Sequence, residues 1–440
     1  MSGETIGLLS VAALLLLIYF GLHIGVSLLM TSLCAVAALR GPDVALRMTG
    51  AVANDSLREY LFAVVPLFIL MGLLVTVSGV GRDTFDLFER LLRRVRGGLG
   101  VATVFANAVF ASITGISIAS ASVFSKVAVP EMIRHGYTQR FSVGVVAGSS
   151  VLGMLIPPSL LMIVYGVLAE ESVGRMFIAG ILPGILVASC FIVLIVGMTY
   201  LRPHLVLEHP DRPMAVGPDD GGTLGEVLRK GMPIVSLIVL VLGGLYAGFF
   251  NPTEAGAVGA LGALVIALLR RTLTPGRFWQ ILVETGHVAV SVLFLVLAAS
   301  MFSRMLAMSG LPSAMSGVFL DGALGPYVFL FGYLALILML GCLIDSVSIM
   351  LIVLPIALPV ARAAGFDIVW FGVLTVVAVE IGLLTPPFGI SVYTVKSALN
   401  DHTLSIRTIF AGATPFVLAM LFALGILVAF PGISTYLTAP

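Results

Sequence analysis

The sequence is poor in charge and in cysteine, and each scarcity narrows the class of protein. Charged residues make up 10% of the 440 residues, against about 25% in an ordinary soluble domain. The three cysteines lie in apolar segments without CxxC spacing, which argues against a disulfide framework or a cysteine metal site. The net charge of +1 gives no indication of a nucleic-acid partner.

Motifs for ATP-driven and hydrolytic chemistry are also missing. None of the three lysines follows the glycine that the phosphate-binding motif GxxxxGK[ST] requires, and HExxH and GxSxG are absent. An intramembrane hydrolase built on Ser149 or Ser150 stays open, but neither serine has an identifiable His or Lys base nearby. We therefore expect no enzyme, no catalytic residues and no organic cofactor.

Apolar residues dominate what is present. Hydrophobic residues reach 59% and the mean hydropathy is +1.15. Apolar runs of about 20 residues, the length that spans a bilayer, recur along the chain. The first run, 6–20, has no basic residue before it, so it resembles a first span more than a cleavable signal peptide. This pattern predicts a multi-pass membrane protein.

An internal repeat covers most of the chain. A shift of 229 residues maps Pro157-Pro158 onto Pro386-Pro387 and Gly153 onto Gly382. We predict one membrane domain made of a first repeat (1–200), a polar linker (201–232) and a second repeat (233–440). The loop predicted at 82–96 is rich in arginine, whereas its counterpart, 311–327, has no basic residue. Because basic loops face the cytoplasm, this difference favours inverted repeats.

The two Pro-Pro pairs interrupt apolar sequence. Proline removes a backbone donor and breaks a helix, and broken helices at matching positions indicate the binding sites of a secondary transporter. We predict a re-entrant helical hairpin in each repeat, with tips near 153–159 and 382–389. Two merely kinked helices are the alternative.

Polar residues recur beside both pairs. The segment 112–122 is rich in glycine and hydroxyls, which either pack helices closely or coordinate a cation. Asp345 is a carboxylate in apolar sequence and a candidate cation ligand, with a structural bond to a hydroxyl or to Arg304 as the alternative. Glu380 fits either a structural or a functional role. Glu254 is expected to start a helix.

Three runs resemble a known family: 148–159 (GSSVLGMLIPPS), 243–255 (GGLYAGFFNPTEA) and 381–389 (IGLLTPPFG). They are similar to the large membrane subunit of TRAP (tripartite ATP-independent periplasmic) transporters, the DctM-like family. The resemblance implies an all-α polytopic membrane protein with two inverted repeats, each with scaffold helices and a re-entrant hairpin, that works by an elevator motion.

The same resemblance implies a function, partners and a location. It implies secondary active symport: the import of an organic acid driven by sodium ions, which are the coupling ions. A periplasmic substrate-binding protein would deliver the substrate, and a small TRAP membrane subunit would be a separate chain in the bacterial cytoplasmic (inner) membrane. The alternatives are a stand-alone ion-coupled carrier of the same architecture and, more distantly, a channel.

Site residues carry over position by position. The first cation site would comprise Gly115, Ser117, Ser120, Gly153, Ile156 and Pro158. Many relatives have Asn or Asp where Ser120 stands, so the sequence departs from the family there. The second cation site would comprise Asp345, Gly382, Thr385 and Pro386. The substrate cavity is assigned to Ser149, Ser150, Ser159, Arg304 and Lys396.

Overall fold

The chain folds into α-helices. The computed structural model describes residues 2–58, 60–92, 94–209, 224–321, 325–401 and 403–438. These residues form 23 α-helices, named α1–α23 in chain order, and one isolated extended bridge, Tyr137 to Leu207. The all-α class predicted from the sequence is confirmed.

The helices divide between the two halves of the chain. The first half contains α1 Gly3–Tyr19, α2 Ile24–Arg40, α3 Pro42–Arg58, α4 Val64–Val77, α5 Val80–Leu92, α6 Gly98–Thr114, α7 Ser117–Arg134, α8 Gln139–Ser150, α9 Leu152–Leu155, α10 Leu160–Ala169, α11 Val173–Leu201 and α12 Pro203–Val206. The second half contains α13 Leu224–Ile238, α14 Gly244–Tyr246, α15 Pro252–Leu269, α16 Pro275–Ser309, α17 Leu311–Ser316, α18 Pro326–Gly341, α19 Ser346–Ala363, α20 Ile368–Gly382, α21 Ile390–Leu399, α22 Ile406–Ala429 and α23 Gly432–Thr435. Residues 210–223 of the predicted polar linker (201–232) lie outside the described residues.

Several helices are long and apolar enough to cross a bilayer. Within the described residues there are six such elements, or seven if α4 and α5 form one bent span. They are the continuous unit Gln139–Ala169, which joins α8, α9 and α10, and the helices α11, α15, α16, α19 and α22. The multi-pass membrane prediction is confirmed.

One antiparallel pair of helices turns back within each half. In hairpin A (α6–α7), Thr103 near the start of α6 lies 3.8 Å, Oγ1 to Sδ, from Met132 near the end of α7. In hairpin B (α18–α19), the ring of Tyr327 at the start of α18 lies 6.0 Å from that of Phe366 just after α19. The chain therefore reverses at 115–116 in hairpin A and at 342–345 in hairpin B.

The Pro-Pro pairs interrupt two different units. Broken span A (α8–α10, Gln139–Ala169) is 31 residues long, roughly 45 Å at 1.5 Å per residue. Broken span B is α20–α21 (368–399). Gln139 at the start of span A donates to the Asp401 carboxylate just after span B, at 3.3 Å. Tyr165 near the end of span A donates to the carbonyl of Ile368 at the start of span B, at 2.6 Å. The two broken spans thus run antiparallel, side by side.

The predicted hairpin tips at 153–159 and 382–389 are therefore wrong. Had either broken span folded back on itself, its two ends would lie together, whereas they contact opposite ends of the other span. A Pro-Pro pair stops helical hydrogen bonding without reversing the chain. Reversal in hairpin A depends on Gly115, whose φ of +63° lies in the left-handed region that ends helices.

The first part of the arginine-rich segment is helical rather than a loop. Residues 82–92 belong to α5, which bends by 63° from α4, while Arg94 and Arg96 follow it in a turn. Val80, Gly81, Thr84 and Phe85 of α5 are buried, so one helical face packs inward and Arg82 and Arg90 lie on the others. Part of its counterpart forms α17.

Candidate ion and substrate site

The turn of hairpin A is built around two closely packed backbones. Gly115 ends α6, and a Cβ at this position would lie 2.5 Å from the carbonyl oxygen of Pro158. The amide of Leu160 donates to the carbonyl of Gly115 at 3.3 Å. Gly153 has the same role from the other side, because a Cβ there would lie 2.9 Å from the backbone of Ser117. Only glycine permits this contact between hairpin A and the break of span A.

Four of the six residues predicted for the first cation site therefore meet here: Gly115, Ser117, Gly153 and Pro158. A cavity of about 10 Å³ lies beside Gly115 and Pro158, which line it together with Ile116 and others. That volume is close to what one water molecule needs. Ile156 follows α9 with an extended backbone and packs against Gly184 of α11.

Ser117 connects the two halves of the protein. Its hydroxyl donates to Glu380 Oε2 at 2.8 Å, across 263 residues of sequence. Glu380 lies in α20, shortly before the second break, and is fully buried, as is Ser117. The other carboxylate oxygen, Oε1, has no hydrogen-bond partner in the described protein. Hairpin A is thus attached to broken span B as well as to broken span A.

Further buried oxygens lie on the helices that form hairpin A and broken span A. Ser120, on the first turn of α7, is fully buried, and its hydroxyl has no partner among the described residues. Asn107 of α6 donates to the hydroxyl of Ser149 at 2.7 Å, while its own side-chain oxygen is unpartnered. Hard monovalent or divalent cations take such oxygen ligands. The donor set therefore fits a cation without nitrogen or sulfur ligands.

The second half repeats the contact between turn and break. The amide of Phe388, just after Pro387, donates to the carbonyl of Cys342 in the turn of hairpin B, at 3.1 Å. Gly341 and Gly382 touch through their backbones, since a Cβ on Gly382 would lie 2.5 Å from the Cα of Gly341. Each hairpin turn is thus hydrogen-bonded to a residue one or two positions after a Pro-Pro pair, Leu160 in the first half and Phe388 in the second.

Asp345 caps α19 at this second turn. Its carboxylate accepts from the amide of Ser348 at 3.1 Å, and the residue is exposed. Arg304, the alternative partner considered for it, instead pairs with Asp55 at 2.9 Å. Asp345 therefore stands at the predicted second site with one carboxylate oxygen engaged by a backbone amide.

The other predicted ligands of the second site lie on span B. The hydroxyl of Thr385 donates to the carbonyl of Ile381 within its own helical turn, at 2.7 Å. Pro386 and Pro387 are exposed, whereas Pro157 and Pro158 are buried. The two related sites therefore differ in access, the first being enclosed by protein and the second open.

The residues assigned to the substrate cavity do not come together. Ser149 and Ser150 are fully buried and donate to carbonyls of their own helix, and Ser159 caps α10. Arg304 is partly exposed and paired with Asp55. This part of the prediction has no support in the geometry for Arg304 or, as described next, for Lys396.

Lys396 has a structural role at the end of α21. Its ammonium donates to the backbone carbonyls of Asp401 and Leu404, which closes the connection to α22. The side-chain hydroxyl and the backbone amide of Thr403 donate to Asp401 and hold the pKa of that carboxyl below its ordinary value. A lysine engaged with two carbonyls is poorly placed to bind a substrate anion.

The sequence alone does not decide the role of Glu380, which the structure places beside Ser117. Glu380 was compatible with either role, because a single carboxylate before a helix break has no assigned partner in the sequence. Its position in apolar sequence was the available signal. The partner, Ser117, lies 263 residues away, so only the tertiary structure identifies it.

The prediction that Glu254 starts a helix is confirmed, since Asn251 and Glu254 form a reciprocal capping box at α15.

An open apolar cleft lies elsewhere on the molecule. It has a volume of about 660 Å³ and lies between α11 and α22, with Arg140 at its edge. It contains none of the predicted site residues.

Comparison with solved structures supports the architecture. The crystal structure of the YdaH transporter of Alcanivorax borkumensis aligns with a TM-score of 0.62 over 90% of each chain, at 15% sequence identity. At this identity the likeness concerns the fold alone.

Comparison with known sequences is more specific. The chain is 34% identical over 86% of both chains to the C4-dicarboxylate TRAP transporter large permease protein DctM of Pseudomonas aeruginosa. It is 30% identical over 94% of both chains to the sialic acid TRAP transporter large permease protein SiaM of Vibrio cholerae. The family model described as tripartite ATP-independent periplasmic transporter, DctM component, matches residues 11–433. The chain therefore belongs to the DctM family of TRAP transporter large permeases.

Proposed function

We propose that this chain is the large permease subunit of a sodium-coupled importer of an organic acid in the bacterial cytoplasmic membrane. The observation that carries the proposal is the paired geometry of the two sites. In each half, the turn of a helical hairpin is hydrogen-bonded through backbone atoms to a Pro-Pro break in a neighbouring span. The unpartnered hydroxyl of Ser120 at the first junction and the exposed carboxylate of Asp345 at the second would supply oxygen ligands for cations.

The two proposed sodium sites keep all of the residues predicted to bind cations. The first comprises Gly115, Ser117, Ser120, Gly153, Ile156 and Pro158, and the second comprises Asp345, Gly382, Thr385 and Pro386. A bound cation would neutralise Asp345 and hold each hairpin against its broken span. Binding of sodium at both junctions would therefore organise the protein around the substrate.

The substrate class is proposed from chemistry and from relatives. The relatives are named for C4-dicarboxylates and sialic acid, and a further relative for isethionate. All of these are organic anions. Cations at two helix junctions would favour an anion between them, because positive charge and helix amino termini attract carboxylates.

The proposed assembly has three components. A periplasmic binding protein would deliver the substrate, and a small membrane subunit would pack beside this chain. Two relatives, the sialic acid permease SiaT of Haemophilus influenzae and the isethionate permease DctMQ of Oleidesulfovibrio alaskensis, are longer: this chain covers 66% and 59% of them.

The antiparallel broken spans support inverted repeats, and we propose that the unit formed by hairpins and broken spans moves as an elevator against the remaining helices.

Uptake by proteoliposomes tests the proposal. The vesicles would contain this chain, its small subunit and its binding protein, with a labelled C4-dicarboxylate outside. We expect uptake to require an inward sodium gradient, to stop when choline replaces sodium, and to need no internal ATP. Uptake that ignores sodium and depends on ATP would contradict the proposal. Uptake that is sodium-driven without any binding protein would instead identify a stand-alone carrier, and gradient-independent leakage a channel.

A further inference from the structure

Glu380 is a fully buried carboxyl group with incomplete hydrogen bonding. One oxygen accepts from the hydroxyl of Ser117 at 2.8 Å, and the other has no partner in the described protein. Among the described residues, no basic side chain forms an ion pair with it. An ionised carboxyl without a counter-charge is very costly to bury in an apolar environment.

The surroundings of Glu380 offset that cost only in part. Ser117 is the first residue of α7, an 18-residue helix, so the positive end of this helix lies beside the carboxylate. A helix terminus is equivalent to about half a charge, and a neutral hydroxyl contributes less than a charged donor does. The arrangement therefore still favours one additional positive charge, supplied either by a proton on the carboxyl group or by a cation beside it.

A second unpartnered oxygen lies on the same turn of α7. Ser120 follows Ser117 by three residues, so the two side chains share one face of the helix. Ser120 is fully buried and its hydroxyl has no partner in the described protein. The same holds for Ser125, but that residue lies more than one further turn along α7. Two buried, unpartnered oxygens, one of them on a carboxylate that accepts from Ser117, thus belong to residues at the start of α7 or bonded to it.

We infer that Glu380 is the charged ligand of the first sodium site, which it completes from the second half of the chain. Glu380 Oε1 and the hydroxyl of Ser120 bind one sodium ion at the turn of hairpin A. Occupancy of this site then joins hairpin A to broken span B, whereas the ligands proposed above for the first site all lie in the first half. This inference rests on the proposed sodium coupling.

Sodium-dependent thermal stability of the purified protein tests this inference without measuring transport. The melting temperature would be followed as NaCl replaces choline chloride at constant ionic strength, for the wild type and for Glu380→Gln. We expect the half-saturating sodium concentration to rise about tenfold or more in Glu380→Gln, because a charged ligand is lost. The matched control is Glu284→Gln, the same change at an exposed position on α16, which we expect to behave as the wild type.

Three further variants supply a second line of evidence if Glu380→Gln does not fold. Ser120→Ala and Glu380→Asp should both weaken the sodium response, and Ser125→Ala, an equally buried serine on the same helix, should not. An unchanged sodium response in Glu380→Gln or in Glu380→Asp overturns the inference and leaves the proposed function intact. A wild type that shows no sodium response overturns both.

Discussion

At the scale of the residue, Asp345 and Asp367 occupy equivalent positions at the start of neighbouring helices. Asp345 caps α19 by accepting from Ser348, and Asp367 caps α20 by accepting from the amide of Trp370 at 2.8 Å. Asp345 stands at the turn of hairpin B, whereas Asp367 precedes α20, at the end of that helix opposite the Pro-Pro break. Substituting each aspartate in turn therefore distinguishes a residue that only caps a helix from one that also binds a cation.

We expect Asp345→Asn to abolish sodium-driven uptake while leaving a folded, monodisperse protein. Asparagine caps helices about as well as aspartate, so the change removes the charge and keeps the hydrogen bond to Ser348. Uptake in proteoliposomes and gel filtration in detergent would be measured side by side. Asp367→Asn is the control and should transport normally. Near-normal uptake by Asp345→Asn would show that Asp345 is a cap and nothing more.

The residues of the site differ in how far the sequence could identify them. Asp345, Ser117 and Ser120 were found because polar groups stood out in apolar segments. Arg304 and Lys396 stood out for the same reason, yet Arg304 pairs with Asp55 and Lys396 binds two carbonyls. Charge in an apolar segment indicates that a partner exists. It does not say which partner, because that depends on contacts distant in sequence.

At the scale of the element, the crossing of α18 and α20 depends on a pair of glycines. Gly341 and Gly382 place their backbones so close that a methyl group on either would overlap the other residue. Backbone cannot rotate away as a flexible side chain can. Gly382 was predicted as a cation ligand, and its observed contact gives it a packing role as well.

We expect Gly382→Ala to destabilise the protein by about 1–3 kcal/mol, the usual cost of overpacking. Gly197→Ala is the matched control, because a methyl group on Gly197 in α11 would meet nothing within 4 Å. That change should be neutral or stabilising by up to about 1 kcal/mol. The melting temperatures of both variants in detergent would be compared with that of the wild type. A wild-type melting temperature for Gly382→Ala would mean that α18 and α20 can separate freely.

In both hairpins the chain reverses at helix termini and not at the Pro-Pro pairs. The Pro-Pro pairs break spans, as proline chemistry requires. The reversals occur where Gly115 follows α6 and where Asp345 precedes α19, and these are ordinary signals for the end and the start of a helix. Both signals were present in the sequence. The prediction placed the reversals at the Pro-Pro pairs because proline breaks helices, but a break does not require the chain to reverse.

At the scale of the whole molecule, the antiparallel broken spans predict which positions share a side of the membrane. Arg134 and Asn400 lie near the paired ends of spans A and B, and Glu170 lies at the far end of span A. With the native cysteines replaced by serine, single cysteines at 134 and 400 should react with an impermeant maleimide from one side. A cysteine at 170 should react from the other side. Labelling of positions 134 and 170 from the same side would restore the hairpin model for span A.

The sequence by itself determined the membrane class, the two-fold repeat and the family. These follow from composition, from a constant shift of 229 residues and from short motifs, all of which are read along the chain. Tertiary structure alone decided which segments reverse, which charges are paired and which carboxyl group faces the turn of hairpin A. Each of those depends on residues such as Ser117 and Glu380, brought together by packing across 263 positions. Periodicity and motif spacing carry no information on such pairs.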